Sequence, residues 1–417
     1  MRFTLYGINF APELTGIGKY SGEMADWLAQ RGHAVSVVTA PPYYPQWAVL
    51  PGYSGRRYTS ERRGSAGDVS VVRSPLWVPT KVSGKTRLLH LLSFAVTSAP
   101  ALLWSLLRRR PDVLFVVAPT LMALPVGLVL GGLLRIPVWL HVQDFEVDAM
   151  FDMGVVRASG RVARWAYGIE RFLMRRCDRI SSISVRMCER LVAKGVEPAR
   201  VVMFPNWVDV SAIHPLTGAN AYREQFGLAH HDTLVLYSGN LGEKQGLEVV
   251  LDAAEKLAAR PDIRFVIAGD GAARARLQAR AQGLANVRWL PLQPMERLNE
   301  LLNAADIHVL PQRGDCADLV MPSKLTGMLA SGRATVGTAV LDSQLGQVLE
   351  GCGVRVEPDD AGLLAAALLS LADDSERRGR IGAAGREFAI AKMSREAILR
   401  EVEARLTGND AAVARTT

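Results

Sequence analysis

Short apolar runs alternate with helix-patterned segments twice over in this chain, and that alternation limits the fold more than any other feature. In the first half, residues 3–8, 34–39, 69–72, 113–117, 138–142, 179–183 and 201–204 read as strands, with helices at 20–31 and 184–194. In the second half, strands at 234–237, 264–268, 287–290, 307–310 and 334–337 alternate with helices at 247–257, 272–282, 297–304, 324–331 and 361–373. Near-continuous apolar strands interleaved with helices require a parallel sheet covered on both faces. The turn-rich stretch Pro205-Asn206-Trp207-Val208-Asp209 separates the two series, and a charged helical tail covers residues 375–406. The expected class is α/β: two doubly wound Rossmann-like domains facing across a cleft. The first spans 1–208 and is completed by a C-terminal helix at about 388–406; the second spans 209–387. A length of 417 residues accommodates both.

A glycine loop heads each series. In Tyr237-Ser238-Gly239-Asn240-Leu241-Gly242-Glu243-Lys244-Gln245-Gly246-Leu247, a strand stops at a Gly-Asn-x-Gly turn and a helix follows. Strand, glycine loop and helix start make an anion site, because exposed N–H groups and the positive helix end face whatever lies over the loop. Thr15-Gly16-Ile17-Gly18-Lys19 is the corresponding loop of the first half. Its spacing resembles a dinucleotide fingerprint, but the segment from Ile8 to Gly16 is too long for the tight turn. The second strand also ends at Thr39-Ala40-Pro41, with no carboxylate for a ribose hydroxyl. A nicotinamide enzyme is therefore disfavoured.

The net charge is +8, from 49 Lys and Arg against 41 Asp and Glu, with basic clusters at Arg56-Arg57, Arg62-Arg63, Arg108-Arg109-Arg110 and Arg175-Arg176. No recognition-helix motif or interleaved aromatic and basic run points to nucleic acid. An anionic membrane face or a phosphorylated lipid fits the clusters better. Residues 88–107 carry no Asp, Glu, Lys or Arg and are long enough to span a bilayer. They also contain His90, three serines, Thr97 and Pro100, which favour a helix packed on the domain with one face able to dip into lipid. Residues 121–134 read as a shorter, buried helix. The four cysteines show no CxxC spacing and read as reduced thiols of a cytoplasmic protein. Met1-Arg2-Phe3-Thr4-Leu5-Tyr6 reads as a strand rather than a secretory leader.

Several stretches carry a family resemblance. They are Tyr6-Gly-Ile-Asn-Phe-Ala-Pro-Glu-Leu-Thr-Gly-Ile-Gly-Lys-Tyr-Ser-Gly-Glu-Met24, Thr39-Ala-Pro-Pro-Tyr-Tyr-Pro-Gln-Trp47, His141-Val-Gln-Asp-Phe-Glu-Val-Asp-Ala149, Phe204-Pro-Asn-Trp207, the Tyr237 loop, and Pro322-Ser-Lys-Leu325. Together they resemble the GT-B glycosyltransferases of the retaining family 4 type, closest to the fucosyltransferase-like subgroup of colanic acid assembly. The resemblance implies transfer of a sugar from a nucleotide-sugar donor, with GDP-fucose as the nearest donor, to a lipid-linked saccharide acceptor. It implies a donor held mainly on the second domain, an acceptor held mainly on the first, and no metal. It also implies a cytoplasmic enzyme, peripheral on the inner face of the plasma membrane. Many members carry Arg and Lys around the second-domain loop; here those places hold Asn240 and Gln245, with Lys244 adjacent. Gly327 stands near a position that is glutamate in many members.

On this reading Lys324, at a helix start after Pro322-Ser323, and Lys244 stabilise the leaving diphosphate. Gly239, Asn240, Gln245, Gly269, Ser323 and Leu325 line the donor, and Gly16 and Gly18 let backbone approach phosphate or acceptor. Asp144, just past an apolar strand, is the candidate for the acceptor hydroxyl or donor sugar, with Glu146 and Asp148 as alternatives. His141 reads as a hydrogen-bonded core residue, and Tyr43, Tyr44 and Trp47 as a stacking wall. The competing readings are a related sugar-nucleotide epimerase and a non-catalytic nucleotide-sugar binder. A phosphorylase is disfavoured by the lack of a pyridoxal-lysine signature.

Overall fold

The computed structural model describes residues 1–13, 16–64, 68–81, 83–119, 121–148, 160–229, 231–242, 245–314 and 322–408. They form two compact units. One comprises Met1–Pro205 together with the chain from Leu399 onward; the other is Asn206–Ile398.

The first unit is an eight-stranded sheet of β1 (Arg2–Tyr6), β2 (Ala34–Thr39), β3 (Thr59–Arg63), β4 (Val69–Arg73), β5 (Val113–Ala118), β6 (Val138–Val142), β7 (Arg179–Ser182) and β8 (Val201–Met203), in the order β3-β4-β2-β1-β5-β6-β7-β8. All its pairings are parallel except β3 with β4. Its helices are α1 (Gly16–Gln30), α2 (Gly84–Arg108), α3 (Leu124–Leu134), α4 (Arg161–Met174) and α5 (Val185–Ala193). The strand order reverses at the β1–β5 pair, so the loops after those two strands flank the crevice where such sheets hold ligands.

The second unit opens with α6 (Ala221–Gln225). β9 (Thr233–Ser238), α7 (Glu248–Lys256), β10 (Ile263–Ala268), α8 (Arg274–Arg280), β11 (Val287–Leu290) and α9 (Leu298–Ala304) follow. Next come β12 (Ile307–Leu310), α10 (Ser323–Ala330), β13 (Ala334–Thr338), α11 (Gln344–Cys352), β14 (Val354–Val356), α12 (Ala361–Asp373) and α13 (Ser375–Lys392). The six strands run parallel in the order β11-β10-β9-β12-β13-β14, which is 3-2-1-4-5-6 counted within the unit. The order reverses between β9 and β12, and the Gly239 loop leaves β9 at that point. Leu234, Val235, Leu236 and Tyr237 are wholly buried along β9, as a strand covered on both faces must be.

Four expectations need correction. Gly16 and Gly18 do not lie in a free loop; they form the first turn of α1, with Gly16 at φ +61°. α3 is not buried all round: it presses Gly127 and Gly131 against the sheet, so Val129 and Leu133 on its other side stand 59% and 76% exposed. The charged tail is two helices, α13 and α14 (Arg395–Leu406), because Val208 intercedes. Its N–H donates to the Met393 carbonyl at 2.9 Å, and its carbonyl accepts from Arg395 N–H at 2.9 Å. Strand β3 has no counterpart in the sequence reading, since Thr-Ser-Glu-Arg-Arg is polar throughout.

α2 is the one described helix long and apolar enough to cross a membrane. One of its faces packs on the domain. Leu91, Phe94, Leu102 and Leu106 are buried there, and the Ser98 hydroxyl meets that of Tyr6 at 2.6 Å. Its other face exposes Leu89, Leu92, Val96, Leu103 and Leu107.

Candidate active site

The Gly239 loop and the start of α10 form the best-built site of the second unit. Lys324 extends from the first turn of α10 until its Nζ lies 2.5 Å from the Tyr237 hydroxyl, 3.4 Å from the Asn240 carbonyl and 4.7 Å from the Tyr237 ring centroid. The Tyr237 hydroxyl donates to the Asn240 carbonyl at 2.6 Å, which sets the direction of the loop. Burial lowers the Lys324 ammonium to about 8 and raises the Tyr237 phenol. Among the described residues this partly desolvated ammonium bonds only neutral oxygens, an arrangement chemically able to take up a diphosphate instead. Around it α10 adds the positive end of its helix dipole.

Glycines make the approach possible. A Cβ on Gly239, at φ +146°, would stand 2.2 Å from Lys324 Cε, so only glycine lets the lysine lie against the loop. A Cβ on Gly269, at φ +143°, would stand 1.9 Å from the Gly239 carbonyl oxygen. Gly269 thus lets the β10 loop support the β9 loop, and Arg274 fastens it by donating to the Gly269 carbonyl. Gly269→Ala is expected to cost about 2 kcal/mol or more, from strained backbone plus a backbone clash. Calorimetric unfolding of the variant checks this.

The other predicted donor residues divide. Asn240 is exposed on the loop, and Ser323 is exposed at the start of α10. Gln245 is half-buried, and its Oε1 has no hydrogen-bond partner among the described residues. Leu325 faces the other way: its side chain is wholly buried in the core and its N–H donates to the Pro322 carbonyl at 3.0 Å. Lys244 lies outside the described residues. Tyr237 had no assigned role in the sequence, yet it joins the lysine to the loop; a tyrosine closing the apolar run 234–237 was the available signal.

In the first unit the loop after β6 separates its three carboxylates. Asp144 is exposed. Glu146 is buried, accepts the Leu121 N–H at 2.7 Å, and is pushed by burial to about 7. Asp148 is paired with Arg190 at 3.1 Å and Lys194 at 3.4 Å, and Lys194 also bonds the buried Glu170. Those pairs anchor the end of the loop, and of the three carboxylates Asp144 is the exposed one. His141 is a core residue, as read from the sequence. Ser181 Oγ lies 2.9 Å from its Nδ1, the Gln143 amide lies 3.2 Å from its Nε2, and burial lowers the ring to about 3, so it stays neutral.

Glu13 escaped the sequence reading. Only 3% exposed, it accepts N–H groups from Tyr43 and Tyr44 and the Asn9 amide, each at 3.0 Å. Burial raises its pKa against those bonds. A Cβ on Gly18 would stand 2.5 Å from Glu13 Oε2, so Gly18 makes room for this carboxylate. Glu13 thereby ties the loop after β1 to the one after β2. Of the aromatic wall, Tyr43 is buried against His90, with ring centroids 4.7 Å apart, and Trp47 packs beside both. Tyr44 is 40% exposed.

The chain thus holds two Rossmann-like units, and the second carries a lysine, a helix start and a glycine loop at its switch point. The chain belongs to the GT-B glycosyltransferases of family 4. The profile described as Glycosyl transferase 4-like domain matches residues 15–207, and that of Glycosyl transferases group 1 matches residues 219–388. The chain is 42% identical over 415 residues to the Escherichia coli protein described as "Putative colanic acid biosynthesis glycosyl transferase WcaI", covering 96% of this chain and 98% of that one. It is 28% identical over 200 residues to a GDP-mannose-dependent phosphatidylinositol monomannoside mannosyltransferase of Corynebacterium glutamicum, covering 46% and 52%. Among solved structures, sucrose-phosphate synthase of Thermosynechococcus elongatus shares the fold at TM-score 0.76 and 18% identity, over 99% of this chain and all of the other. HepE of Anabaena in complex with UDP does so at TM-score 0.70 and 14% identity, over 98% of this chain and all of the other.

Proposed function

We propose that this glycosyltransferase moves a sugar from a nucleoside diphosphate donor to a lipid-linked saccharide acceptor during exopolysaccharide assembly, at the cytoplasmic face of the membrane. The observation that carries the reading is Lys324, held by Tyr237 over the Gly239 loop at the amino end of α10. As the glycosidic bond breaks, charge grows on the diphosphate, and the lysine and helix amides oppose it without a resident metal. Retention at the anomeric carbon and GDP-fucose as donor rest on the family resemblance, and the 42% identical relative supports the exopolysaccharide role. Asp144 takes the acceptor hydroxyl or the donor sugar. Offering the chain a panel of nucleoside diphosphate sugars with lipid-linked saccharides tests this. One sugar should be added to the lipid-linked acceptor for each nucleoside diphosphate released; binding without turnover would favour the non-catalytic binder, and change of the free sugar nucleotide the epimerase.

The membrane side rests on the first unit. Leu89, Leu92, Val96, Leu103 and Leu107 form one apolar stripe on α2, bounded by exposed Arg108, Arg109 and Arg110. Exposed Arg56, Arg57 and Arg62 add charge, whereas Arg63 is occupied by Asp26 at 3.3 Å. Each basic side chain near an anionic surface contributes about 1 kcal/mol, screened over roughly 10 Å at 0.1 M salt. Flotation with anionic vesicles is expected to be strong at low salt and to fall as salt rises. Retention at every salt concentration would mean deep insertion of α2, and no retention would remove the membrane from the account.

A further inference from the structure

The first sheet has polar side chains where a sheet covered by helices is normally apolar. The pairing of β2 with β4 sets Ser36 beside Ser70, and that of β4 with β3 sets Ser70 beside Arg62. Aligned neighbours point to the same face, so a row of two hydroxyls and a guanidinium crosses three strands. Ser60, two residues from Arg62 and opposite Val72, joins that face. The end of α2 overhangs the row with Trp104, Ser105, Arg108 and Arg109, and together they enclose a cavity of about 240 Å³. Ser36 and Ser70 lie toward the amino ends of their strands, whereas Glu13 and Asp144 lie beyond carboxyl ends. The cavity is therefore separate from the candidate active site.

Its chemistry is anion-binding. Glu61, the one carboxylate in its lining among the described residues, is matched by the buried Arg73, whose Nη2 donates to it at 2.6 Å. That leaves Arg62, Arg108 and Arg109, which outweigh the half-charge of the carboxyl end of α2. Hydroxyls and guanidiniums together suit the oxygens of a phosphate. The exposed apolar stripe of α2 runs from Leu89 to Leu107, and the next residue, Arg108, lines this cavity. Trp104, 51% exposed with the Arg108 guanidinium 5.0 Å from its ring, stands where they meet. An apolar track ending in a basic, hydroxyl-lined hole has the chemistry of one molecule, a phospholipid.

We propose that the cavity binds the headgroup phosphate of an anionic phospholipid whose chains lie along α2, fixing how the first unit sits on the bilayer. The inference rests on the membrane reading above. The probes are monomeric short-chain phosphatidylglycerol and inorganic phosphate, by calorimetry, and flotation with phosphatidylcholine vesicles with and without phosphatidylglycerol. Ser36→Val/Ser70→Val fills the cavity and keeps every charge. It should lose tenfold or more in affinity for the short-chain lipid, and lose the preference for phosphatidylglycerol vesicles, with melting temperature and GDP binding unchanged. Should the pair fail to fold, Arg62→Gln on the edge strand gives the same readings. Val96→Ser/Leu103→Ser should weaken flotation on all vesicles and lower short-chain lipid binding toward that of inorganic phosphate. No binding of the short-chain lipid, equal binding by the filled variant, or inorganic phosphate bound as tightly as the lipid would each overturn the proposal. If wild type binds the short-chain lipid but floats with no vesicle, the headgroup site stands and the membrane reading fails. If it floats and the filled variant behaves as wild type, the site alone fails.

Discussion

Lys324→Ala is expected to weaken GDP or UDP binding roughly 10- to 100-fold, the cost of losing one charge-assisted contact to a diphosphate. The unliganded fold should not suffer. Burial holds Lys324 at about 8 against 10.5 in the open chain, so its charged form costs the folded state. The sign follows from proton counting: between pH 8 and 10.5 the unfolded chain keeps a proton that the folded chain has released. Stability contributed by this group therefore rises with pH across that window, and the penalty is fully present below it. The alanine variant should lack this rise and match or exceed wild type in melting temperature at pH 7. Above pH 8, diphosphate binding should take up a proton, readable by calorimetry in buffers of different ionisation enthalpy. Unchanged affinity in a folded Lys324→Ala protein removes the lysine from the site.

The second large effect concerns Asp144. Asp144→Asn should lower transfer about 10²- to 10⁴-fold if the carboxylate takes a proton from the acceptor. Nucleoside diphosphate affinity should stay near wild type, because the proposed diphosphate contacts lie on the Asn206–Ile398 unit and Asp144 does not. Glu146→Gln gives the contrast. Glu146 is buried on the Leu121 amide, so its loss should act on the loop and on stability more than on turnover alone. A single-turnover assay on the lipid-linked acceptor separates the two. Near wild-type turnover by Asp144→Asn would make this residue structural.

Much of the fold could be read from the chain because buried parallel strands announce themselves. Residues 113–117 and 234–237 are unbroken apolar runs, and both lie within strands at the centres of their sheets. What escaped reading was set by tertiary contact. β3 is a polar edge strand that exists through its pairing with β4. The break between α13 and α14 has neither glycine nor proline at Met393-Ser394; Val208, far away in sequence, supplies the hydrogen bonds there. Gly16 and Gly18 suggested a loop because glycine disfavours helix, yet Gly18 is fixed by the Glu13 carboxylate beside it. The site follows the same rule. Lys324 was legible from Pro322-Ser323-Lys324 at a helix start, whereas its partner Tyr237 lies 87 positions earlier in the chain. α3 looked buried because its composition is apolar; Gly127 and Gly131 take the inner face and leave Val129 and Leu133 outside.

The most direct test is hydrogen exchange with and without saturating GDP or UDP. The account predicts slowed exchange at the amides of Gly239–Gly242 and Ser323–Thr326, lost in Lys324→Ala, with little change at residues 141–148. Protection confined to the first unit, or no protection by any nucleoside diphosphate that measurably binds, would contradict donor binding on the Asn206–Ile398 unit.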